Sequence, residues 1–175
     1  MNLLDLDTKL EKDQKWYVAY TMSRQEKKVF KLLEQKQIKS FLPLKKSVKQ
    51  WSDRKKIVEE PLFTSYVFVH IDIRCYYNVV STSGVVRFIK FNEKPIEVKN
   101  CEIEKIKKIV ENFKQIEVNN EKLLIGDRVL IIKGYLKGID GILVEFRGKK
   151  KVAIKIDSIN LNLLIDLPLE YIKKI

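Results

Sequence analysis

Residues 66–71, Tyr-Val-Phe-Val-His-Ile, alternate in a way that gives both sides of a strand an apolar character. Tyr66, Phe68 and His70 project to one side, and Val67, Val69 and Ile71 to the other. One face can be buried in its own domain. The other face needs a second cover, either more of the core or a partner. Phe63 precedes the run and adds a further aromatic to it.

The segments before and after it mix strand and helix signals. Trp-Tyr-Val-Ala-Tyr at 16–20 reads as a short strand. Ser23-Arg24-Gln25-Glu26 fits a capping box that starts a helix, with Val29, Leu32, Leu33 and Lys36 at helical spacing. The segment 45–60 is basic and has Ser52-Asp53 in its middle, which predicts a hairpin. Asp72 is positioned to cap a short helix ending before Gly84. Residues 85–91 read as one strand. Asn100 then caps a last helix whose buried stripe is Ile103, Ile106, Val110 and Phe113. This order predicts an α+β domain.

The pattern changes near residue 125. Gly84 is the only glycine before it, and Gly126, Gly134, Gly138, Gly141 and Gly148 follow. Short β-branched runs separated by those glycines predict a small all-β barrel. The expected organisation is a charged tail at 1–14, an α+β domain at 15–114, a polar linker at 115–122 and a β domain at 123–175.

Composition narrows the function. Lys and Arg number 35 against 23 Asp and Glu, giving a net charge of +12. That balance favours a polyanionic partner, nucleic acid or an acidic membrane surface, over a merely solvated basic surface. Cys75 and Cys101 lie far apart with no CxxC, and one His cannot complete a zinc set, so neither a metal nor a cofactor is expected. No run approaches the ~20 apolar residues of a membrane span, and no signal peptide is apparent. A cytoplasmic monomer is expected. There is no P-loop, no GxGxxG and no nucleophile constellation, and His70 sits in strand alternation, so no enzyme is expected.

The order WYVAY, a capped helix, EEPLFTSYVFV, TSGVVRF and GDRVLIIKGYLKGIDGILVEF resembles the NusG family of transcription elongation factors. The resemblance spans roughly 15 to 175. It implies an α+β NusG N-terminal (NGN) domain followed by an SH3-like KOW domain. The KOW signature falls on Gly126, Asp127, Val129, Gly134, Gly138 and Gly141. WSDRKKIVEEPLFTSYVFV is most similar to the specialised RfaH and UpxY antiterminators.

The resemblance implies that Tyr20, Phe63, Tyr66 and Phe68 dock on the clamp helices of the largest RNA polymerase subunit. The residues alone leave the same four open to a core role. It also implies that Arg24, Gln25, Lys28, Thr82 and Ser83 meet the exposed non-template DNA strand. Lys55 and Lys56, in the basic hairpin, are candidates for backbone contact or for a solvated tip. At Ile156-Asp157-Ser158-Ile159 an acid stands where the family uses an aromatic to bind Rho or a ribosomal protein, so the KOW partner stays open. The second domain is expected to be a stable barrel with no helical alternative. The expected function is an antiterminator that suppresses pausing or termination, with a surface-polysaccharide operon as the target that the paralogues imply. The alternatives are a housekeeping NusG-type factor recruiting Rho or ribosome, and an RNA- or ribosome-binding KOW protein with no polymerase contact.

Overall fold

A computed structural model describes residues 13–50, 54–119 and 126–175. Trp51, the Ser52-Asp53 turn, most of the expected tail and part of the expected linker lie outside the described residues. The chain divides into two compact units, residues 1–43 with 63–101, and residues 44–62 with 102–175.

The first unit is built on an antiparallel sheet in the order β2 (Ser40–Phe41), β5 (Tyr66–Ile71), β1 (Lys15–Thr21) and β6 (Val85–Phe88), with β9 (Glu97–Val98) also paired to β1. The double-faced strand β5 therefore lies inside the sheet. Its register against β1 sets Trp16 opposite His70, Val18 opposite Phe68 and Tyr20 opposite Tyr66 on one face. Lys15, Tyr17 and Ala19 meet Ile71, Val69 and Val67 on the other.

That second face carries the helices α1 (Glu26–Gln35) and α2 (Tyr76–Val80). Phe88, opposite Ala19, is met edge-on by Tyr17 at 6.1 Å and stacked by Tyr76 of α2 at 4.8 Å. Lys36, just past α1, donates to the Asn78 carbonyl at 3.1 Å, so the two helices are neighbours. Val29 and Leu33 of α1 and Val79 of α2 are fully buried. Asp72 caps the 3-10 turn that leads into α2, as the sequence predicts.

The start of α1 differs from expectation. Gln25, not Ser23, precedes the helix, and it makes no side-chain cap. Arg24 adopts a left-handed backbone, φ 63°, which moves Ser23 out of capping position. Glu26 does not reach back to Ser23; it is buried and accepts a hydrogen bond from the Ser65 N–H. The strand expected at 85–91 also breaks. Lys90–Phe91 (β7) leaves the sheet and pairs with Lys94–Pro95 (β8) across Asn92-Glu93, both at positive φ, the backbone of a tight hairpin turn.

In the second unit, β3 (Leu44–Gln50) and β4 (Lys55–Pro61) form the expected hairpin. Helix α3 (Asn100–Asn112) buries Glu102, Ile103, Ile106 and Ile109. Val110 and Phe113, expected in that stripe, are only half-buried. A stripe at 103, 106 and 109 advances by three residues a step and leaves 110 at its margin.

The remainder is a six-stranded antiparallel sheet in the order β10 (Ile116–Asn119), β14 (Leu161–Ile165), β13 (Lys149–Ile156), β12 (Asp140–Phe146), β11 (Arg128–Ile131) and β15 (Ile172–Lys174). Its core contains Ile131, Leu136, Ile154, Ile156, Leu163 and Ile165. Residues 116–119 fall in the expected linker yet form its edge strand. Ile116 meets Ile165 and Val118 meets Leu163, so an apolar alternation of two inside polar neighbours is enough to complete the sheet.

Two glycines of this unit answer to close packing. A Cβ on Gly126 would sit 1.8 Å from the Leu143 carbonyl oxygen, and one on Gly141 would sit 2.7 Å from Val152 Cγ1.

Candidate functional site

In an antiparallel sheet, residues directly opposite one another bring their side chains together on one face. Tyr20 of β1 lies opposite Tyr66 of β5 on one side and opposite Arg87 of β6 on the other. The tyrosine rings meet edge to face, 6.2 Å between centroids at 69°. The Arg87 guanidinium lies 5.5 Å from the centre of the Tyr20 ring. A row of Arg87, Tyr20 and Tyr66 thus crosses three strands on the face opposite α1 and α2. Both tyrosines are half-buried and Arg87 is exposed. Burial, with Tyr20 beside it, pushes the Tyr66 phenol above its ordinary pKa, so it remains a neutral hydrogen-bonding group.

The two phenylalanines expected in the same patch lie lower. Phe63 is 2% exposed and Phe68 is fully buried. They pack edge to face at 5.8 Å, and Phe41 adjoins Phe68 at 6.0 Å. The tyrosines pair with each other and the phenylalanines with one another, the first pair half-buried and the second buried.

Backbone geometry fixes where Tyr66 stands. Ser65 takes a left-handed conformation, φ 63°, and is buried. Its N–H donates to Glu26 Oε1 at 2.7 Å, and its carbonyl accepts from the Thr21 N–H at 2.8 Å. The turn between Phe63 and Tyr66 is therefore held from α1 and from β1 together. Sequence reasoning assigned Glu26 to a cap and missed this role. Nor did it identify Arg87, although strand alternation from Phe88 places Arg87 on the tyrosine face.

The second candidate group gathers around the β1–α1 turn. The Met22 N–H donates to the Gly84 carbonyl at 2.9 Å, joining that turn to the 81–84 loop. A Cβ on Gly84 would press on Val29 at 2.8 Å and lie 3.5 Å from the Gln25 Cβ. Arg24, Gln25, Thr82 and Ser83 are thereby brought to one region, with Lys28 one turn along α1. Arg24, Lys28 and Ser83 are exposed and Gln25 is half-buried. Thr82 is buried: its hydroxyl donates to the Asn78 carbonyl at 3.2 Å and accepts from Lys36 Nζ at 2.8 Å. Thr82 shapes this loop from inside, and Lys36, which the sequence reading placed only by helical spacing, anchors it.

The remaining candidates belong to the second unit. Lys55 and Lys56 lie exposed on β4. Val129 is buried, and Asp127 pairs with Lys174 at 2.7 Å, joining the approach to β11 with β15. Gly134 and Gly138, both at positive φ, turn the chain from β11 to β12. In the turn after β13, Asp157 is exposed and pairs with Lys155 at 2.9 Å. Ser158 donates its N–H to Glu102 Oε1 at 3.1 Å and its hydroxyl to Glu102 Oε2.

Among the described residues no group of three His, Cys, Asp or Glu could hold a metal ion, and no helix is long and apolar enough to cross a membrane. His70 lies beside Trp16, ring centroids 4.9 Å apart and tilted by 48°, and burial, aided by Lys39, lowers its pKa.

The family model described as "Transcription termination factor nusG" matches residues 14–107. The transcription termination/antitermination protein NusG of Chlamydia pneumoniae is 27% identical over 154 residues, covering 81% of this chain and 84% of that one. Its counterpart from Thermus thermophilus is 25% identical over 164 residues, covering 81% and 89%. A solved structure described as "Domain interaction in Thermotoga maritima NusG" aligns with a TM-score of 0.59 at 26% identity, covering 94% of this chain and 99% of that chain.

Proposed function

The chain belongs to the NusG family, and on that premise we propose that it binds RNA polymerase through its tyrosine row and suppresses pausing or termination. It is a transcription termination/antitermination factor of that family, with the family's mixed fold of few helices and many strands. The proposal assigns polymerase binding to an NGN-like domain at 15–114 and a separate role to a KOW domain at 123–175.

One observation carries the docking assignment. Tyr20 and Tyr66 stand side by side, partly exposed, on a face that α1 and α2 do not cover. Tyrosine anchors gain from burying a large rigid ring while keeping a polar tip, and Arg87 adds a charged rim. The partner on this face is the clamp-helix region of the largest polymerase subunit. Phe63 and Phe68 are buried and lie outside the exposed part of the patch. Arg24, Gln25, Lys28 and Ser83 face the exposed non-template strand, where Arg and Gln can reach base edges.

No bond is made or broken by the protein. It acts by binding one state of the polymerase more tightly than the paused state. The ion-paired carboxylate of Asp157 supports an antiterminator over a factor that recruits Rho, since a charged side chain is a poor anchor for an apolar pocket. A surface-polysaccharide operon is the target this reading favours.

The test is binding of core RNA polymerase to the wild type and to Tyr20→Ala and Tyr66→Ala chains of unchanged circular dichroism. Tight wild-type binding weakened at least tenfold in both variants is expected. Equal binding by all three would remove the row from the interface. Direct Rho binding would replace the antiterminator reading with the housekeeping one.

A further inference from the structure

The ribbon of β3 and β4 separates its charge along its length. At the root Lys45 lies opposite Glu60, with an ion pair of 3.9 Å, and Lys46 lies opposite Glu59. Toward the tip Arg54, Lys55 and Lys56 are all exposed, and the described residues there include no acid. On one face Val48 and Ile57 stand directly opposite each other, 65% and 67% exposed. Alternation sets Lys55 on that same face. Strand propensity and the cross-strand contact support the ribbon, but most of the pair's apolar surface stays open beside a basic tip.

We propose that this ribbon binds duplex DNA, with its Val48–Ile57 face in the major groove and Arg54, Lys55 and Lys56 on the phosphates. The fit is geometric and chemical. The major groove, about 12 Å wide, admits a two-stranded ribbon. Seven residues at about 3.3 Å each give strands of about 23 Å, long enough to enter the groove while the charge-paired root stays outside. β-Branched side chains can meet thymine methyls, and the tip lysines and arginine match the phosphate charge. The major groove of duplex RNA is too narrow to take it. The inference extends the nucleic-acid part of the reading above and does not depend on polymerase docking.

Fluorescence anisotropy of the full chain, without polymerase, tests it on a DNA duplex of about two helical turns, the matching single strand and the matching RNA duplex. The DNA duplex should bind most tightly. Lys55→Ala with Lys56→Ala should weaken it about tenfold and lower the slope of log affinity against log salt by about two. Val48→Ser with Ile57→Ser should weaken it severalfold and leave the slope unchanged. Val48→Thr with Ile57→Thr, which keeps strand propensity, should fall between them and guards against a misfolded ribbon. Wild-type affinity in both apolar variants overturns the proposal. So does a preference for RNA duplex, or for single strand that is lost in Trp51→Ala. Absence of DNA binding by the wild type overturns it too, and polymerase binding by the same preparations reports separately on the docking face.

Discussion

Glu26 Oε1 accepts a hydrogen bond from the Ser65 N–H at 2.7 Å in a buried setting, joining residues 39 apart in sequence. The contact fixes a left-handed residue immediately before Tyr66, and so fixes the strand that carries the tyrosine row. Local capping would have used the same carboxylate at the helix start. The tertiary bond wins because Ser65 is buried and its N–H would otherwise lack a partner.

Removal of that acceptor should loosen the turn. Glu26→Ala should cost about 1–3 kcal/mol, the penalty of an unsatisfied buried N–H, and Glu26→Gln should recover most of it because the amide oxygen still accepts. Urea denaturation reads the cost. Amide hydrogen exchange at Ser65 should accelerate in Glu26→Ala alone. Ser65→Gly should be tolerated better than Ser65→Val, since glycine adopts the left-handed region freely.

Arg87 should separate binding from stability. Its guanidinium is exposed over Tyr20, where a cation–π contact contributes about 0.5–1 kcal/mol. Arg87→Ala should therefore leave thermal unfolding nearly unchanged while weakening polymerase binding. Unchanged binding would confine the interface to the two tyrosines.

Lys151 is a buried cation, 5% exposed, held by Glu117 at 3.0 Å and Asp166 at 3.2 Å. It ties the edge strand β10 to the far end of β14. Lys151→Ala should destabilise by about 3 kcal/mol, the low end for breaking a buried pair, because both carboxylates reach water. Burial alone would lower its pKa, but hydrogen bonds to Glu117 and Asp166 outweigh that and raise it above the ordinary 10.5. The contribution should be full below that value and be lost as pH rises through the raised one. The stability difference between wild type and Lys151→Met should thus shrink as pH rises through that raised value, read as urea midpoints against pH.

Acid should act in two separate ranges. His70 has its pKa lowered by burial and by Lys39. Its neutral form stabilises the fold fully above the ordinary value of 6.5, and that stability is lost as pH falls through the lowered pKa. Hydrogen bonds from the Arg74 side chain and backbone hold the Asp72 carboxyl down at about 2. Its contribution is present above the ordinary 3.8 and is lost as pH falls through about 2. His70→Phe should remove the upper step and Asp72→Asn the lower one, in urea midpoints measured against pH.

Legibility followed the range of the interactions. The register of β5 against β1 agrees with the alternation of Tyr66 to Ile71, and the hairpin and the Asp72 cap were visible locally. Local signals failed where a distant partner competed. Glu26 bonds to Ser65 instead of closing a capping box with Ser23, and residues 116–119 joined β14 although their composition read as linker. The candidate site divided in the same way. Residue type could not tell that Phe63 and Phe68 are buried while Tyr20 and Tyr66 stay partly exposed, nor that Thr82 is turned inward onto Lys36.

The sequence by itself determined the family, the mixed first part, the glycine-spaced second part and the basic character, because periodicity, turn chemistry and charge are properties of short segments. Only the tertiary structure decided which face of β5 carries helices, which aromatics remain at the surface, and which three side chains from β6, β1 and β5 form one row. The reason is physical: strand alternation specifies two faces, but the register between strands and the placement of α1 and α2 determine which face is covered.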